Sequence, residues 1–526
     1  MKHNLGGAST IIIKNSVFYL FFTLLALTLH NLGGVSTIKI KNSVFYFVLS
    51  STCTNFAKKG GTKHHNNKYK EMDYNTICAL ATPAGGAIGI IRISGDNAIG
   101  IADRIFQGKG GKLADNKPNT IHFGTIFDSN GKPVDEVLAS IFRKPHSYTG
   151  EDSVEISCHG SRYVMKRICS LLIENGCRQA EPGEYTKRAF INGKMDLSQA
   201  EAVADLIAST NKATHMMAMS QLRGNFSNQL SILREKLLKL TSLMELELDF
   251  SDHEDLEFAD RTELLELSVE IERHISNLAK SFESGKAIKE GIAVAIAGKT
   301  NVGKSTLLNT LVGEEKAIVS DIHGTTRDVI EDTTNIEGIT FRLIDTAGIR
   351  DTEDTIERIG IDRTFRTIQE APIILWMLDS IPDDKEVEKI EHMAEGKKLI
   401  VVNNKTDKAD LTAQLATLFP HATVTGISAL NNHNTDCLKD LLFKTADLPS
   451  FNENDVIVTS TRHYEALLKA KDSIGTVIEG LKQNIPSDLL SEDLRLCLHH
   501  LADITGGEIT PSETLSHIFS HFCIGK

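Results

Sequence analysis

The pattern of apolar and polar positions divides this 526-residue chain into segments of different character. In residues 72–190, short apolar runs such as 86–93 and 153–157 alternate with short stretches of helical spacing. Apolar runs of this length, bounded by polar turn residues, are typical of β-strands. We therefore predict a small α/β domain over residues 72–190.

A helical pattern occupies residues 191–285 and returns in residues 449–526. Apolar side chains recur at helical spacing from Leu197 and Ala200 onward, and glycine and proline are nearly absent from the first segment. Because the two ends of a domain often lie close together, a second domain is readily inserted between them. We predict one helical domain built from both segments and interrupted by residues 286–448.

The interrupting segment alternates strand-like and helical runs. Four apolar runs predict buried strands, at residues 292–297, 341–344, 373–378 and 399–402, with helices between them. Continuous apolar strands that alternate with helices are typical of a parallel sheet covered on both faces. The predicted fold class of this segment is therefore a doubly wound α/β domain.

Residues 1–71 do not continue this organisation. The stretch 3–19 recurs almost unchanged at 30–46, and the apolar run 17–29 lies between the copies. This run is similar to a signal peptide and is shorter than the ~20 residues that a membrane-spanning helix needs. The alternatives are an export or membrane segment, or a non-native or disordered extension upstream of a true start at Met72. We favour the extension, because the rest of the chain is typical of a cytosolic protein.

Composition narrows the function classes. Lys and Arg number 57 against 69 Asp and Glu, a net charge of -12, so the chain is not a general nucleic-acid binder. RNA would have to be held by a local patch or by a partner. None of the 8 cysteines forms a C-x-x-C pair, which gives a zinc ribbon no support and indicates reduced thiols in the cytoplasm.

The strongest chemical motif is G-x-x-x-x-G-K-S, which runs from Gly298 to Ser305, follows an apolar strand and opens a helix. In this context the glycines let backbone amides wrap phosphate groups, and the helix N-terminus adds positive potential. Lys304 is expected to reach the terminal phosphates, and Ser305 to offer its hydroxyl to Mg²⁺. A chance match in a glycine-rich turn is the alternative, and the order of strand, loop and helix argues against it.

Two further motifs lie where the remaining phosphate contacts are expected. Asp345-Thr346-Ala347-Gly348 ends a strand, so that Asp345 would hold a Mg²⁺-bound water and the Gly348 amide would sense the terminal phosphate. The segment 324–328, Gly-Thr-Thr-Arg-Asp, lies where a switch loop is expected. Thr326 would close on Mg²⁺ when the terminal phosphate is present.

The base pocket is predicted from Asn404-Lys405-Thr406-Asp407, which follows a strand, and from Ser428 and Ala429. A carboxylate at Asp407 accepts both the ring N–H and the exocyclic amine of guanine, a donor pair that adenine lacks. The sequence therefore predicts GTP rather than ATP. The predicted GTP-binding residues are Asn301, Val302, Gly303, Lys304, Ser305, Thr306, Ser320, Asp321, Ile322, His323, Gly324, Thr325, Thr326, Asp345, Thr346, Ala347, Gly348, Asn404, Lys405, Asp407, Ser428 and Ala429.

Position 349 departs from the Ras-like pattern. Ile349 stands where Ras-like proteins carry a glutamine that positions the attacking water. An isoleucine side chain cannot orient water, so another group must do so, and another charge must neutralise the transition state.

Other motifs are more specific than these nucleotide-binding patterns. They are Ala81-Thr-Pro-Ala-Gly85, Tyr148-Thr-Gly-Glu151-Asp152, the stretch from Glu181 to Glu201, Asp345-Thr-Ala-Gly-Ile-Arg350 and the terminal Phe522-Cys-Ile-Gly-Lys526. With them, residues 72–526 closely resemble the tRNA-modification GTPase family called MnmE or TrmE, within the TrmE-Era-EngA-YihA-Septin-like GTPases. The resemblance implies an N-terminal α/β domain that binds formyl-tetrahydrofolate and dimerises, a helical domain, and an inserted Ras-like doubly wound G domain.

The resemblance also implies a K⁺-stimulated GTPase that is activated when its own G domains pair. In that family K⁺ stands where other GTPases place the charge of an arginine. The residues that match the K⁺ contacts are Asn301 in the phosphate loop and Ser320, Ile322 and Thr325 in the loop that wraps the ion.

Other matches concern Mg²⁺ and the attacking water. Ser305 and Thr326 match the Mg²⁺ ligands of the family, and Glu357 matches the catalytic glutamate that positions water. Glu357 would thus replace the glutamine that is missing at position 349. From the residues alone, the favoured interpretation of Glu357 is an exposed helix residue beside Arg358.

The N-terminal domain of the family is similar to the folate-binding domains of one-carbon enzymes, and it binds 5-formyl-tetrahydrofolate. Arg92, Glu155, Lys194 and Lys526 match its folate contacts. Cations suit the folate carboxylates, and a carboxylate suits the amino-pterin edge. Taken alone, Arg92 is an ordinary strand charge and Lys526 a frayed terminus. Cys523 lies in the same terminal motif, where a packing role is as well supported as a reactive thiol.

Finally, the resemblance implies a homodimer that forms a heterotetramer with MnmG, also called GidA. Together they add a carboxymethylaminomethyl group to C5 of the wobble uridine (position 34) of certain tRNAs. No G-x-G-x-x-G follows a strand here, so FAD would belong to the partner. The alternative is a non-enzymatic GTP switch on RNA, such as a ribosome-assembly protein. Such proteins usually carry a compact basic module, and this acidic chain has a folate-like block instead.

Overall fold

The structure of the chain is a computed structural model. It describes residues 4–5, 8–13, 34–40, 43–49, 75–249, 261–313, 331–345, 371–448, 455–507, 515, 518–520, 522 and 525. They belong to two units, one of residues 1–194 with 524–526 and one of residues 195–523. Within the described ranges, no helix is long and apolar enough to cross a bilayer.

The described residues of the N-terminal extension form four short strands. They are β1 (Asn4–Leu5), β2 (Ala8–Ile13), β3 (Gly34–Ile40) and β4 (Ser43–Leu49), and they form a sheet in that order. Strands β2 and β3 belong to the two copies of the sequence repeat and pair in parallel, with Ser9 opposite Ser36. Part of the extension therefore has regular secondary structure, and its origin upstream of Met72 stays a prediction.

The remainder of the first unit is built on a seven-stranded sheet in the order β11-β5-β6-β10-β9-β8-β7. The strands are β5 (Ile77–Leu80), β6 (Ile88–Ser94), β7 (Phe106–Gly108), β8 (Thr120–Phe127), β9 (Pro133–Phe142), β10 (Ser153–His159) and β11 (Arg178–Gln179). All neighbours pair antiparallel except β11 and β5. Side chains alternate across the sheet, so that in β6 Ile91 and Ile93 are fully buried and Arg92 points to the opposite face.

Three helices accompany this sheet: α1 (Ala98–Ile105), α2 (Arg162–Glu174) and α3 (Glu184–Ile191). The first two cover one face, where Ile101 and Met165 pack with Ile91 and Ile156 in a single apolar core. On the other side, Tyr185 of α3 is fully buried against β5. Each face of the sheet is therefore covered differently, and Arg92 lies on the α3 side.

The second unit begins with four helices: α4 (Leu197–Ala208), α5 (Lys212–Leu222), α6 (Asn225–Asp249) and α7 (Arg261–Glu290). The start of α4 is fixed by a capping box, in which the Asp196 carboxylate accepts the Gln199 amide and the Gln199 side chain caps Asp196. A second capping box joins Asn211 to Thr214 at the start of α5. These local signals explain why the helical pattern breaks where it does.

The sheet of the inserted domain has the order β13-β14-β12-β15-β16-β17. Its strands are β12 (Ile292–Ala297), β13 (Glu331–Ile336), β14 (Ile339–Asp345), β15 (Ile373–Leu378), β16 (Lys398–Asn403) and β17 (Thr423–Gly426), and its helices are α8 (Lys304–Gly313), α9 (Asp384–Ala394), α10 (Thr412–Leu418) and α11 (Thr435–Ala446). All neighbours are parallel except β13, an antiparallel edge strand. The carboxyl ends of the parallel strands therefore meet at one edge of the sheet.

Helices α12 (Thr461–Lys482) and α13 (Ser487–Thr505) follow the inserted domain. They share one apolar core with α6 and α7, in which Leu237, Ile275, Leu467 and Leu494 are all fully buried. The two helical segments thus pack together although the doubly wound domain separates them in sequence. The predicted fold class, an α/β N-terminal part and a helical part with an inserted doubly wound domain, is confirmed.

A buried charged cluster joins α4 to α12 and α13. Glu201 Oε1 accepts from Arg462 Nε at 2.8 Å, and Oε2 lies 2.7 Å from His463 Nε2. Arg462 also donates to the carbonyls of Asp503 and Ile504 in the last turn of α13. Burial alone would raise the pKa of Glu201, yet the nearby His463 and Arg462 lower it to about 2.

Candidate functional site

The phosphate loop connects β12 to α8. Gly298 and Gly303 have φ of +150° and +105°, a region that favours glycine. A Cβ at Gly298 would lie 2.6 Å from the carbonyl oxygen of Met377. A Cβ at Gly303 would overlap the side-chain nitrogen Nδ2 of Asn404. Both glycines are therefore required by the close packing of the loop against neighbouring strand ends.

Lys304 is held inside this loop. Its side chain is almost fully buried, and Nζ donates to the carbonyl oxygens of Gly298 and Lys299, both at 2.8 Å. Burial lowers the pKa of Lys304, and the carboxylate of Asp345 opposes that change. The ammonium thus lies where phosphate oxygens would replace the two carbonyl partners and form stronger, charge-assisted hydrogen bonds.

Asn404 ties the base pocket to the phosphate loop. The side chain is buried; Nδ2 donates to the Val302 carbonyl at 2.7 Å, and Oδ1 accepts from the Ala429 amide at 3.0 Å. Since both ends of the amide are used by the protein, Asn404 acts chiefly as a brace. It fixes three separate segments of the predicted GTP site relative to one another.

Asp407 is the exposed carboxylate of the base pocket. Its Oδ1 accepts from Ser428 Oγ at 2.6 Å, and this hydrogen bond is the main reason that the pKa of Asp407 lies below its ordinary value. The group is therefore an anion at neutral pH, as an acceptor for the guanine N–H donors must be. Leu430, two residues after Ser428, is 80 % exposed.

Lys405 crosses from the base pocket to the phosphate loop. Its Nζ donates to the Asn301 carbonyl at 2.8 Å and forms an ion pair with Asp379 Oδ2 at 2.7 Å. Asp379 is the residue immediately after β15 and was not among the predicted site residues. A single acidic residue at the end of an apolar strand carries no motif, so only the folded geometry reveals it.

The residues around the phosphate loop fit a hard cation such as Mg²⁺. Ser305 is exposed at the start of α8, and Asp345 ends β14, whose last residue pairs with Ile296 of β12. A hydroxyl and a carboxylate at one edge supply the oxygen ligands that Mg²⁺ prefers. Thr306 is likewise exposed on the first turn of α8.

Several predicted residues lie outside the described residues, and the structure says nothing of them. They are Ser320, Asp321, Ile322, His323, Gly324, Thr325, Thr326, Thr346, Ala347, Gly348, Glu357, Cys523 and Lys526. The predicted residues that are described in the inserted domain all lie at the carboxyl edge of its sheet or in the loops that leave it.

A second candidate site lies in the first unit, around Arg92 and Glu155. These residues are directly opposite each other in the antiparallel pair β6 and β10. Arg92 Nε and Nη2 both approach Glu155 Oε1 at 2.8 Å, while Arg92 Nη1 donates to the Gly525 carbonyl at 3.3 Å. The Glu155 side chain keeps 28 % of its surface exposed.

Two tyrosines flank Arg92, and sequence reasoning did not assign them a role. The guanidinium carbon lies 5.5 Å from the centre of the Tyr148 ring and 5.6 Å from that of Tyr185. The Tyr185 hydroxyl donates to the Arg92 carbonyl, and the Tyr148 hydroxyl bonds to Thr186 Oγ1. The cation–π contacts hold the guanidinium in a fixed orientation. Both tyrosines lie in motifs that carry the family resemblance, and the sequence alone gives these motifs no chemical role.

Lys194 contacts the loop that bears Tyr148. Its Nζ donates to the Pro145 carbonyl at 3.0 Å, and its Cγ would lie 3.3 Å from a Cβ at Gly150. Lys194 is exposed, whereas Arg92 and Glu155 are mostly covered. The structure thus brings Arg92 and Glu155 together and joins Lys194 to them through this loop.

A buried ion network supports this second site. Arg188 donates to Glu151 and Glu184, and Arg178 donates to both oxygens of Glu184. Burial alone would raise the pKa of Glu184, but the hydrogen bonds from Arg178 and the Glu181 amide and the charge of Arg188 lower it. These glutamates and arginines therefore tie α3 to the segments that bear Glu151 and Arg178.

Two protein-family models match this chain, one in the first unit and one in the second. Residues 76–194 match the family model described as the GTP-binding protein TrmE N-terminus, and residues 197–523 match that of the MnmE helical domain. The second match includes the inserted nucleotide-binding domain and both helical segments.

Individual relatives agree with these matches. The chain is 58% identical over 470 residues to the tRNA modification GTPase MnmE of Bacteroides thetaiotaomicron, which covers 86% of this chain and 100% of that protein. It is 50% identical over 464 residues to the protein of the same name from Flavobacterium psychrophilum, covering 86% and 99%. A crystal structure of an Era variant from Aquifex aeolicus, bound to GDP.AlF4-, is 30% identical, with a TM-score of 0.24 over 34% of this chain and 66% of that one.

Proposed function

The chain belongs to the tRNA modification GTPase MnmE family, and we propose that it is a K⁺-stimulated GTPase that acts with an MnmG-type flavoprotein on tRNA. Together the two would add a carboxymethylaminomethyl group to C5 of the wobble uridine, in the cytoplasm, where GTP and tRNA are present. The observation that carries the proposal is the presence in one chain of the Asp407 carboxylate, held by Ser428 after the phosphate loop, and of the Arg92–Glu155 ion pair in the first unit.

The chain's own residues account for binding and orienting GTP. Asp407 would accept the guanine donors, Lys304 would hold the terminal phosphates, and the helix α8 N-terminus would favour their charge. Mg²⁺, held by Ser305 and by Thr326 outside the described residues, would supply charge neutralisation at the phosphates. Glu357, which also lies outside them, would position the attacking water in place of the glutamine missing at position 349.

The K⁺ proposal rests on Asn301 and on residues Ser320, Ile322 and Thr325 outside the described part. Asn301 has a left-handed backbone, φ +66°, and an exposed side chain at the rim of the phosphate loop. An amide oxygen there suits a monovalent cation. The test is the GTP hydrolysis rate of the full chain in KCl and in NaCl at matched ionic strength. Faster turnover in KCl supports the proposal, and equal rates contradict it.

We propose that 5-formyl-tetrahydrofolate binds around Arg92. The Glu155 carboxylate would accept a hydrogen bond from the amino group of the pterin, and the cations Arg92, Lys194 and Lys526 would suit the ligand's carboxylates. The folate would supply a one-carbon unit when bound. Its binding is measured by titration calorimetry on the full chain, and no detectable heat of binding at micromolar protein would contradict the assignment.

The homodimer is proposed to form through exposed apolar side chains on strands β6, β8 and β9 of the first unit's sheet. Ile88, Ile121, Phe123 and Leu138 are 45–66 % exposed, and Phe123 lies directly opposite Leu138. Exposed apolar side chains clustered on one face are typical of a protein interface. In light scattering after size exclusion, Phe123→Asp is expected to convert a dimer to a monomer. Leu489→Asp, at an equally exposed leucine of α13, is expected to stay dimeric; a dimeric Phe123→Asp contradicts the assignment.

The tRNA reaction itself is tested by reconstitution. The full chain, an MnmG-type flavoprotein, a reductant for its flavin, tRNA, GTP, the folate and glycine, which supplies the amine and carboxymethyl part of the group, are incubated. The digested tRNA nucleosides are identified by mass spectrometry. A mass increase at the wobble uridine that Lys304→Ala abolishes supports the proposal. Hydrolysis of GTP with unmodified tRNA would instead favour the alternative, a GTP-dependent switch on RNA. We propose domain bounds of 72–190 for the N-terminal domain, 191–285 with 449–526 for the helical domain, and 286–448 for the G domain.

A further inference from the structure

The ion pair between Asp379 and Lys405 lies between the two halves of the nucleotide site. Asp379 follows β15 directly, and Lys405 lies two residues after β16. These strands are parallel neighbours, with Leu378 opposite Asn403, so the sheet places both side chains at its carboxyl edge. The pair is a consequence of the sheet topology and not of proximity in sequence.

The position of Lys405 is fixed by its backbone conformation and by two contacts of its ammonium group. Its backbone is left-handed, with φ +62°, its Nζ donates to the Asn301 carbonyl at 2.8 Å, and the same nitrogen lies 2.7 Å from Asp379 Oδ2. Both side chains of the ion pair are only about one third exposed, at 34 % and 32 %. A fully exposed ion pair contributes little to stability. Partial burial restricts the two side chains of this pair to fewer positions.

The carboxylate also sets the charge at the phosphate loop. Lys405 brings a full positive charge to within hydrogen-bond distance of Asn301, the residue for which a K⁺ contact is proposed. Asp379 cancels that charge locally. Without it, an uncompensated cation would stand beside the K⁺ position and oppose a second cation by Coulomb repulsion.

We propose that Asp379 is a positioning residue: it holds Lys405 across the phosphate loop and thereby couples guanine binding to the binding of K⁺ at Asn301. The inference rests on the proposed K⁺ stimulation. It predicts that a change at Asp379, which is not among the residues proposed to bind the nucleotide or the cation, alters the response to both.

The test compares Asp379→Asn and Asp379→Ala with the unchanged full chain. GTP hydrolysis is measured over a KCl series at constant ionic strength, and the affinity for a fluorescent GDP analogue is measured by titration. The K⁺ concentration for half-maximal turnover is expected to rise at least about fivefold in Asp379→Asn. Nucleotide affinity should fall in the same variant, and Asp379→Ala, which also loses the hydrogen-bond acceptor, should show the larger effects.

Asp447→Asn is the matched control. It makes the same change of charge in the same domain, but Asp447 is 86 % exposed and pairs with Lys398 at the opposite, amino-terminal edge of the sheet. Its K⁺ response and nucleotide affinity should equal those of the unchanged chain. A general loss of stability in Asp379→Asn would lower turnover at every K⁺ concentration without moving the half-maximal point.

The outcomes separate the two proposals. If the unchanged chain is K⁺-stimulated and Asp379→Asn has the same half-maximal K⁺ concentration as Asp447→Asn, the coupling role of Asp379 is wrong while the proposed function stands. If nucleotide affinity falls without a change in the K⁺ response, the coupling is also wrong. If the unchanged chain shows no K⁺ stimulation, both proposals fail together.

Discussion

The two candidate sites of this chain are built from different parts of the protein. Around the nucleotide site, the phosphate loop relies on backbone groups: two glycines with positive φ, carbonyls that hold Lys304, and the N-terminus of α8. Around Arg92, the support comes from side chains: two tyrosine rings lie near the guanidinium, and a buried network joins Glu151, Glu184 and Arg188.

The difference predicts how each site responds to change. A backbone-built phosphate loop depends on a few residue types that have no substitute. A site supported by ion pairs depends on charge, because removing one partner leaves the other buried and unpaired. The following variants separate these two kinds of dependence.

The largest effect is expected for Lys304→Ala. The phosphate loop would lose the charge that holds the terminal phosphates, and GTP hydrolysis should fall on the order of 100- to 1,000-fold. Steady-state phosphate release measures it. Lys398→Ala, at the opposite edge of the same sheet, serves as the control and should retain full activity. Retention of wild-type turnover by Lys304→Ala would refute the assignment of the phosphate loop.

Glu184→Gln is expected to destabilise the first unit by about 3 kcal/mol, since it breaks a mostly buried pair with Arg178 and Arg188. Hydrogen exchange of the β6 amides reports on this unit. The single tryptophan, Trp376, lies in β15 of the other unit, so its fluorescence reports on the nucleotide domain and should not change.

The control for that variant is Glu174→Gln, which removes a surface pair with Arg167 and should cost less than about 1 kcal/mol. If Glu174→Gln and Glu184→Gln lower the β6 protection equally, the buried network has no special role in the first unit.

The pH dependence follows from the same residue. Because the folded-state pKa of Glu184 lies below its ordinary 4.5, its contribution is fully present above that pH and is lost as the pH falls through the folded pKa. The difference in stability between wild type and Glu184→Gln should therefore be constant from pH 8 to pH 6 and shrink below about pH 4.5. A difference that stays constant down to pH 3 would show that charge is not involved.

Asp407→Asn should change base specificity. An amide in place of the carboxylate can donate to xanthine, which carries a carbonyl where guanine carries the amine. The KM for GTP should rise at least about tenfold, while xanthosine triphosphate becomes a substrate. Asp436→Asn, at a 91 % exposed side chain, is the charge-matched control. Unaltered preference for GTP over the xanthine nucleotide would contradict the role of Asp407.

The smallest effect is expected for Arg92→Lys, which retains the charge but not the planar guanidinium that lies near both tyrosine rings. Affinity for 5-formyl-tetrahydrofolate should fall roughly tenfold, and GTP hydrolysis without tRNA should be unchanged. Titration calorimetry measures the first and phosphate release the second. Equal folate affinity in both proteins would remove Arg92 from the site.

The sequence predicted the nucleotide domain well because its signals are local. Strands β12 and β15 have the predicted bounds, and β14 and β16 extend one or two residues beyond them. The phosphate-loop and base-pocket motifs are short runs that each carry their own chemistry. The antiparallel edge strand β13 was not predicted, because its polar sequence gives no apolar run.

Other features depend on contacts that no short motif encodes. Asp379 meets Lys405 only because β15 and β16 are neighbours, and Tyr148 and Tyr185 meet Arg92 only because two distant segments converge on β6. The network of Glu184 and Arg188 explains motif residues that the resemblance alone left without a physical role. Where a site is assembled across the sheet, composition and spacing do not reveal its members.

The most direct test of two separate ligand sites is a crossed titration of the full chain. GDP and 5-formyl-tetrahydrofolate are each titrated into the unchanged protein, Asp407→Asn and Arg92→Lys. We expect Asp407→Asn to weaken GDP binding and leave the folate unchanged, and Arg92→Lys to do the reverse. If either variant weakens both ligands equally, or neither, the account of two independent sites is wrong.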